Sequence, residues 1–280
     1  MVDFLRELGG TVTAAHTVRV AGHFGEWLQG RLGPQGPVVL ITLPCAALGV
    51  RAEALGPGDF SLEQYPPALL PEARAAAFLR ALGGPVSGRY RLEAEMPPGG
   101  GAGASTAALL ALAGAAGHPC DAALAGPCVA TEGASDPLML PRPDAVLWAP
   151  REGHALGALP TPPRCEILGG FWGPPLRTAP QDAAFPDVAD LIDAWRGSGD
   201  LAEFAALASQ SAARTTALRG PEDDPTPALC AALGALGHLR AHTGSARGLI
   251  FPPGAVPEGA EARLAEAGFE GVLRFETGAA

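Results

Sequence analysis

Residues 97–106 read Pro-Pro-Gly-Gly-Gly-Ala-Gly-Ala-Ser-Thr, and an apolar run over residues 107–116 follows at once. Glycine has no Cβ, so the backbone N–H groups of such a stretch can approach an anion closely. A helix that starts there adds its unpaired first-turn N–H groups and the positive end of its dipole. The stretch therefore predicts a phosphate-binding loop and indicates a nucleotide-dependent enzyme. The predicted nucleotide contacts are Gly99, Gly100, Gly101, Ala102, Gly103, Ala104, Ser105 and Thr106.

The segment before the loop supports this interpretation. Tyr90, Leu92, Ala94 and Met96 alternate with charged residues, which predicts a half-buried strand leading into the loop. The Walker A motif is excluded because the sequence contains no lysine, and the Rossmann pattern fails because Ala104 replaces its third glycine. From these residues alone, a glycine-rich turn before a purely structural helix remains an alternative.

The composition of the chain argues against some classes of protein. Apolar residues make up 48% of the 280 residues, enough for a substantial core, and charged residues only 17%. The formal net charge is -10, whereas proteins that bind nucleic acid or anionic membranes present a basic face. We therefore expect neither partner. Without lysine, a catalytic cation must be arginine, histidine or a metal ion.

Cysteine usage and hydropathy bear on the compartment. Five cysteines, at positions 45, 120, 128, 165 and 230, are scattered and form no CxxC pair. This pattern is typical of reduced intracellular thiols. The first ten residues lack the apolar core of a signal peptide, and the longest apolar run is too short to span a bilayer. We expect a cytoplasmic protein that is a monomer or a homodimer.

Strand and helix patterns are mixed without strict strand–helix–strand alternation, which favours an α+β fold. Residues 17–20 predict a strand that enters a loop at Ala21-Gly22, and residues 38–43 predict a buried strand that ends before Pro44. Residues 227–242 predict a helix. The prolines at 160–163 indicate a domain change, so we expect one domain over residues 1–163 and another over residues 164–280.

Four segments resemble, in order, the motifs of the GHMP kinases, the superfamily of homoserine, mevalonate and galactose kinases. Residues 101–107 (Gly-Ala-Gly-Ala-Ser-Thr-Ala) stand at the end of the motif P-x-x-x-G-L-G-S-S-A-A. Residues 25–30 (Gly-Glu-Trp-Leu-Gln-Gly) and 41–44 (Ile-Thr-Leu-Pro) resemble G-E-L-x-Q-G and x-T-x-P of the L-threonine kinases of cobalamin synthesis and propanediol utilisation. Residues 134–139 (Ala-Ser-Asp-Pro-Leu-Met) and 241–249 (Ala-His-Thr-Gly-Ser-Ala-Arg-Gly-Leu) resemble that branch's P-[ST]-D-G-x-M and A-H-S-G-T-x-x-G-L.

The resemblance implies a two-domain fold, with an N-terminal domain like domain 2 of ribosomal protein S5 and a ferredoxin-like C-terminal domain. It implies ATP and Mg²⁺, with Ser105 as a metal ligand. Glu132, four residues before Asp136, could serve as a second, carboxylate ligand. The resemblance also implies Asp136 as the general base for the acceptor hydroxyl. The structural alternatives are a helix N-cap for Ser105, a surface position for Glu132, and an Asx turn before Pro137 for Asp136.

In the first motif, the resemblance places Glu26 and Gln29 on the substrate or nucleotide side. His23 stands near the position where many GHMP kinases have a lysine, so it could supply part of that positive charge. A structural, partly exposed histidine is the alternative for this residue.

In the third motif, we expect His242 to orient the turn at Gly244 rather than to do chemistry. Gly244 and Ser245 would shape a loop that packs against the active site. Arg247 could bind a phosphate in a bidentate manner or be a solvated side chain.

Several polar residues of the threonine kinase pattern are missing; Gly100, for example, replaces the lysine of the second motif and Ala108 its aspartate. The expected function is ATP-dependent transfer of the γ-phosphoryl group to a hydroxyl of L-threonine or of a related amino-alcohol or hydroxy acid. The alternative is a degenerate member that binds a nucleotide or metabolite without phosphoryl transfer, in a regulatory or scaffold role.

Overall fold

A computed structural model of the protein describes residues 16–65, 68–176 and 181–279. The first ten residues, which carried the expectation about a signal peptide, lie outside this part of the chain. The strands in it are β1 (Thr17–Arg31), β2 (Val38–Asp59), β3 (Ser61–Gln64), β4 (Ser87–Ala94), β5 (Val146–Ala149), β6 (His154–Ala158), β7 (Cys165–Phe171), β8 (Gly237–Arg240), β9 (Ala246–Phe251) and β10 (Glu270–Thr277). The α-helices are α1 (Glu72–Ala81), α2 (Ala104–Ala115), α3 (Ala125–Glu132), α4 (Ala189–Gly197), α5 (Leu201–Arg219), α6 (Thr226–Leu233) and α7 (Ala260–Glu266).

Eight strands follow one another in a single sheet in the order β10-β7-β9-β8-β1-β2-β4-β3, and β5 joins it by pairing with β2. The named strands pair antiparallel except for β3 and β4. The strands after residue 164 form one end of the sheet, and they meet the N-terminal strands where Glu26 of β1 pairs with Arg240 of β8. This mixed architecture confirms the predicted α+β class, while the boundary at residues 163 and 164 stays a prediction.

Helix α2 is apolar on every side, which is typical of a helix enclosed by protein. All of its residues except Ser105 are buried, and it packs against β1, β2 and β4. A second core lies under β1, where Trp27 meets Trp195 with ring centroids 5.9 Å apart. The start of α2 is therefore held in a fixed position relative to β1.

Strands β1 and β2 are longer than their sequence patterns predict. β1 does not enter a loop at Ala21-Gly22, and β2 continues through Pro44. The register of the pair shifts between Ala21 and Gly22 and again between His23 and Glu26. Such bulges accommodate glycine and proline without ending a strand, which is why the predicted boundaries were wrong.

Residues 227–242 do not form a single helix, so this prediction was wrong as well. Helix α6 ends at Leu233, followed by Gly234 in the left-handed conformation with φ of 69°. Glycine in this position is a common helix terminator. The chain then forms β8, which places Arg240 and His242 on or just after a strand of the sheet. Among the described residues, none of the helices has the length and apolar character that a membrane span requires.

Candidate active site

A cleft of about 510 Å³ lies between β1, the glycine loop and the end of α3. Most of the residues predicted for the site line it. They are His23, Glu26, Gln29, Gly99, Gly101, Ala102, Gly103, Ala104, Ser105, Thr106, Glu132, Asp136 and His242. The residues of the predicted set that lie outside the lining are Gly100, Gly244, Ser245 and Arg247.

The glycine loop presents backbone groups to the cleft. Gly103 is the N-cap of α2 with φ of 73°, and no side chain caps the helix. The first-turn N–H groups of α2 therefore remain open to an anion. On its other side the loop is fixed to β1, because its carbonyls accept hydrogen bonds from the backbone N–H groups of His23 (3.2 Å) and Gly25 (3.0 Å).

The third motif supports the loop from behind. The backbone N–H groups of Ser245 and Ala246 donate to the carbonyl of Gly100 at 3.0 and 2.7 Å. Gly244 has φ of 96°, and a Cβ there would lie 2.6 Å from the backbone of Gly100 and Gly101. Gly100, Gly244 and Ser245 thus determine the shape of the loop without lining the cleft.

Ser105 and Glu132 form the nearest polar pair to the open end of α2. The Ser105 hydroxyl donates to Oε1 of Glu132, the last residue of α3. Burial raises the pKa of Glu132, opposed by the Ser105 hydrogen bond and by the charge of Arg74, whose Nη1 lies 3.6 Å from the same oxygen. A hydroxyl and a carboxylate are hard oxygen donors, so this pair fits the requirements of Mg²⁺.

Asp136 is held by Thr106 and His23. The hydroxyl oxygen of Thr106 accepts the backbone N–H of Asp136 at 3.2 Å and donates to its Oδ2, also at 3.2 Å. His23 Nε2 lies 3.3 Å from that same carboxylate oxygen. The Asp136 side chain is 25% exposed, so it remains accessible from the cleft. Thr106, predicted among the nucleotide contacts, thus has its hydroxyl engaged with Asp136.

His23 is enclosed by acceptors. Its Nδ1 lies 3.1 Å from the carbonyl oxygen of Gly25 and 3.4 Å from Oε1 of Glu26, while Nε2 faces Asp136. Burial, the largest influence, lowers the pKa of His23, but the carboxylates of Glu26 and Asp136 together outweigh it and raise the pKa to about 9. His23 is therefore an imidazolium at neutral pH.

The pKa values of the two carboxyl groups beside His23 shift in opposite directions. Burial raises the pKa of Asp136, but the His23 charge and the hydrogen bonds from His23 and Thr106 outweigh it and hold the pKa below its usual range. Burial and the charge of Asp136 raise the pKa of Glu26 to about 8, against the opposing effect of His23. Asp136 is thus the ionised partner of the His23 imidazolium, and Glu26 keeps its proton to a higher pH than an ordinary carboxyl group does.

One donor atom of each of His23, Glu26 and Asp136 lies within 4.8 Å of the others, a spacing that a metal ion could use. The two carboxylates, however, contact different nitrogens of the same imidazole. A single ion cannot lie in line with both ring nitrogens. We therefore interpret the group as a charge network around Asp136.

A second histidine of the cleft has a different environment. His242 stacks on Phe185 with ring centroids 3.9 Å apart, and Nη1 of Arg219 donates to its Nε2 at 2.6 Å. Burial and then the charge of Arg219 lower the pKa of His242 to about 4. Because Nε2 accepts, the neutral ring carries its proton on Nδ1.

Arg247 does not reach the cleft. Its Nε donates to Oδ2 of Asp224 at 2.7 Å, and both side chains are almost fully buried. A buried arginine that loses its carboxylate partner is strongly unfavourable, so this pair belongs to the interior rather than to a phosphate site. This placement differs from both alternatives predicted for Arg247, a phosphate-binding side chain and a solvated one.

Other residues of the cleft were absent from the predicted set. Two of them lie at α1: Leu69 just before it and Arg74 in its first turn. The others are Arg151, between β5 and β6, and Leu176 and Phe185, between β7 and α4. Arg74 lies on a helical pattern and Arg151 directly follows Pro150, but neither belongs to a motif. Sequence patterns alone carried no signal for them.

No family model matches the sequence, and no curated protein matches it. Solved structures do match. Phosphomevalonate kinase of Streptococcus pneumoniae has a TM-score of 0.65 and 14% identity, over 95% of this chain and 99% of that one. Mevalonate kinase of Methanococcus jannaschii has a TM-score of 0.61 and 12% identity, over 95% and 98%.

A homoserine kinase from Cytophaga hutchinsonii has a TM-score of 0.54 and 15% identity, over 93% of this chain and 94% of that one. These structures are GHMP kinases, and each match extends over nearly the whole length of both chains. The chain has the fold of the GHMP kinases. At these identities the likeness concerns the fold, so the GHMP-kinase fold predicted from the motifs is confirmed and the threonine kinase branch stays a prediction.

Proposed function

We propose that the protein is an ATP-dependent kinase that transfers the γ-phosphoryl group of ATP to a hydroxyl of a small molecule. The observation that carries this proposal is the position of Asp136. It lies in the same cleft as the uncapped start of α2 and the Ser105–Glu132 pair, and Thr106 and His23 fix its carboxylate.

In this proposal the backbone of the glycine loop and the first turn of α2 bind the triphosphate. Phosphoryl transfer depends mainly on positioning and on neutralising charge, which open N–H groups at a helix start provide. Ser105 and Glu132 would hold Mg²⁺, which when bound offsets the negative charge of the β- and γ-phosphates.

Asp136 would orient the acceptor hydroxyl and receive its proton. The imidazolium of His23 keeps this carboxylate ionised, but it also makes it a weaker base. We therefore expect Asp136 to act first by orientation, with the proton leaving the hydroxyl late in the transfer. His23 would also supply positive charge in a protein that has no lysine.

For the acceptor, we propose L-threonine or a related hydroxy acid or amino-alcohol. Arg151 lines the cleft, and the preceding residue, Pro150, accepts a hydrogen bond from the backbone N–H of Ser135 at 2.8 Å. Arg151 is thus next in the chain to a residue that contacts the segment of Asp136. Arg151 uses one of its five N–H donors for the carbonyl of Asp182. Its remaining donors suit an acceptor with a carboxylate, which favours amino acids and hydroxy acids over simple amino-alcohols.

A second candidate function is binding of a nucleotide or metabolite without transfer. It is favoured by the ion pair between His23 and Asp136, which occupies the carboxylate that the reaction requires. Both functions predict that the protein binds a nucleotide, but only the kinase predicts turnover.

The test is release of ADP by the purified protein with Mg²⁺ and ATP. The acceptor panel should include L-threonine, L-serine, L-homoserine, glycerate and ethanolamine. We expect turnover with at least one hydroxyl acid, and loss of that turnover in Asp136→Asn. Stabilisation of the protein by ATP with no turnover on any acceptor would favour the second function, and absence of both would contradict the two of them.

A further inference from the structure

We propose that Arg74 binds the triphosphate of the nucleotide. In a chain without lysine, its guanidinium supplies the positive charge beside the phosphates. The inference rests on the proposed function, and it concerns a residue outside every motif of the sequence. Its support comes from the place of Arg74 in the fold, from the contacts it makes, and from the engagement of the other arginine of the cleft.

The fold directs Arg74 toward the cleft. It lies in the first turn of α1, and its backbone N–H donates to the carbonyl of Pro71 at 2.9 Å. The next residues of the helix, Ala75, Ala76, Phe78 and Leu79, are buried in the core. This packing fixes α1, so Arg74 stays on the cleft wall with 43% of its side chain exposed.

The guanidinium of Arg74 retains unused donors. Among the described residues its one ion pair is with Glu132, at 3.6 Å, which is longer than a hydrogen bond. The same carboxylate oxygen already accepts the hydroxyl of Ser105. Arginine has five N–H donors in a planar fork that matches two phosphate oxygens. A phosphate beside Ser105 would therefore gain a bidentate partner.

The other arginine lining the cleft, Arg151, serves the acceptor side in the proposed function. Arg151 donates to the backbone carbonyl of Asp182 and lies over the Phe185 ring, 5.4 Å from its centroid. His23 is also committed, because its charge is shared with Asp136 and Glu26. In a chain of net charge -10, a bound triphosphate needs a further cation, and Arg74 lies beside the Ser105–Glu132 pair at the phosphate end.

The test compares Arg74→Gln and Arg74→Lys with Arg80→Gln, an exposed arginine on the same helix and outside the cleft. Affinities for AMP, ADP and ATP are measured by calorimetry, with Mg²⁺ and with EDTA, and unliganded melting temperatures serve as the folding check. We expect Arg74→Gln to lose about tenfold or more in ATP affinity, with a much smaller loss for AMP. Arg74→Lys should be intermediate, and Arg80→Gln should match the unmodified protein.

Equal losses for AMP and ATP would overturn the inference, because Arg74 would then support the fold or the nucleoside rather than the phosphates. Normal ATP affinity in Arg74→Gln would also overturn it, while leaving the proposed kinase intact. If the unmodified protein binds no nucleotide, the proposed function fails together with the inference, so the two failures are distinguishable.

Discussion

His23 and His242 both line the cleft and are both buried, yet their charges differ. His23 is surrounded by the carboxylates of Glu26 and Asp136, which raise its pKa to about 9. His242 lies against Arg219 and Phe185, and burial together with Arg219 lowers its pKa to about 4. The same side chain is thus a fixed cation at one place and a neutral ring at the other.

The difference shows how this chain organises charge without lysine. At Asp136 the fold pairs a carboxylate with an imidazolium, which keeps both ionised in a buried place. At His242 the ring accepts a hydrogen bond from an arginine and packs on an aromatic ring, which requires no charge. We infer that the His23 region does the chemistry and that the His242 region shapes the cleft.

The largest expected effect follows from removing the charge of Asp136. Asp136→Asn should lower kcat by roughly 10²- to 10⁴-fold, the usual contribution of a general base, while ATP affinity changes little. The measurement is ADP release under saturating acceptor, with calorimetry for ATP. Asp193→Asn, at an exposed surface ion pair, is the matched control. Unchanged kcat in Asp136→Asn would remove Asp136 from the mechanism.

The next largest effect follows from removing the positive charge of His23. His23→Gln should lower kcat by roughly tenfold to a hundredfold, since a charged partner of a buried carboxylate is lost. Activity of the unmodified protein should also fall as pH rises through about 9, where His23 loses its proton. His23→Lys should move this alkaline limb to higher pH, because lysine ionises higher.

The control for this experiment is His154→Gln, since the side chain of His154 is 54% exposed. It should leave both the rate and the pH profile unchanged. If His23→Gln keeps the alkaline limb in place, another group titrates there. His23 would then have a structural role.

The sequence predicted the fold well where local patterns and motifs agree. The glycine loop, the start of α2 and the helices around residues 189–219 follow from glycine positions and apolar spacing. Boundaries in β1 and β2 were wrong because bulges carry those strands through Gly22 and Pro44. The break after Leu233 was missed because apolar spacing continues past Gly234, although that glycine is itself a stop signal.

The site was predictable only as far as the motifs extend. Ser105 and Asp136 were identified by resemblance and Glu132 by its position four residues before Asp136, and the structure places all three in one cleft. The pairing of His23 with Asp136 joins distant parts of the chain, so no local pattern encodes it. Arg74 and Phe185 reach the cleft through the packing of whole segments, and single-sequence patterns do not describe such packing.

A smaller effect tests the contact between the loop and His23. A Cβ at Gly103 would lie 2.5 Å from the His23 ring, and φ there is +73°. Gly33 has φ of +76° with nothing within 4 Å of an added Cβ, so Gly33→Ala isolates the backbone strain. We expect Gly33→Ala to lower the free energy of unfolding by about 1 kcal/mol.

Gly103→Ala should lower it by more and also weaken ATP binding, because the loop must move away from His23. Urea denaturation and calorimetry measure the two effects. Equal destabilisation by both substitutions, with unchanged ATP affinity, would show that the loop and the imidazole can separate without consequence.

The smallest expected effect is a pH dependence of stability to which the two histidines contribute in opposite directions. The folded pKa of His23, about 9, lies above the usual value of 6.5, so its contribution is complete below pH 6.5 and is lost as pH rises through about 9. Glu26, raised to about 8 from 4.5, adds a loss over pH 4.5 to 8. The folded pKa of His242, about 4, lies below 6.5. Between these values the unfolded chain binds a proton that the folded chain does not, so stability falls as pH falls from 6.5 toward 4.

Urea denaturation over a pH series should therefore show that His23→Gln reduces the loss of stability between pH 6.5 and about 9, whereas His242→Gln reduces the loss between pH 6.5 and about 4. Glutamine at position 242 can still accept a hydrogen bond from Arg219, so the contribution of His242 on the acid side is removed with little other change. The alkaline dependence that remains below pH 8 in His23→Gln should shrink when Glu26→Gln is added, because Glu26 is the remaining raised group of that cluster. If His242→Gln flattened the alkaline side instead, the assignment of a lowered pKa to His242 would be wrong, since a group whose folded pKa lies below its unfolded value cannot lose stabilisation as pH rises above that value.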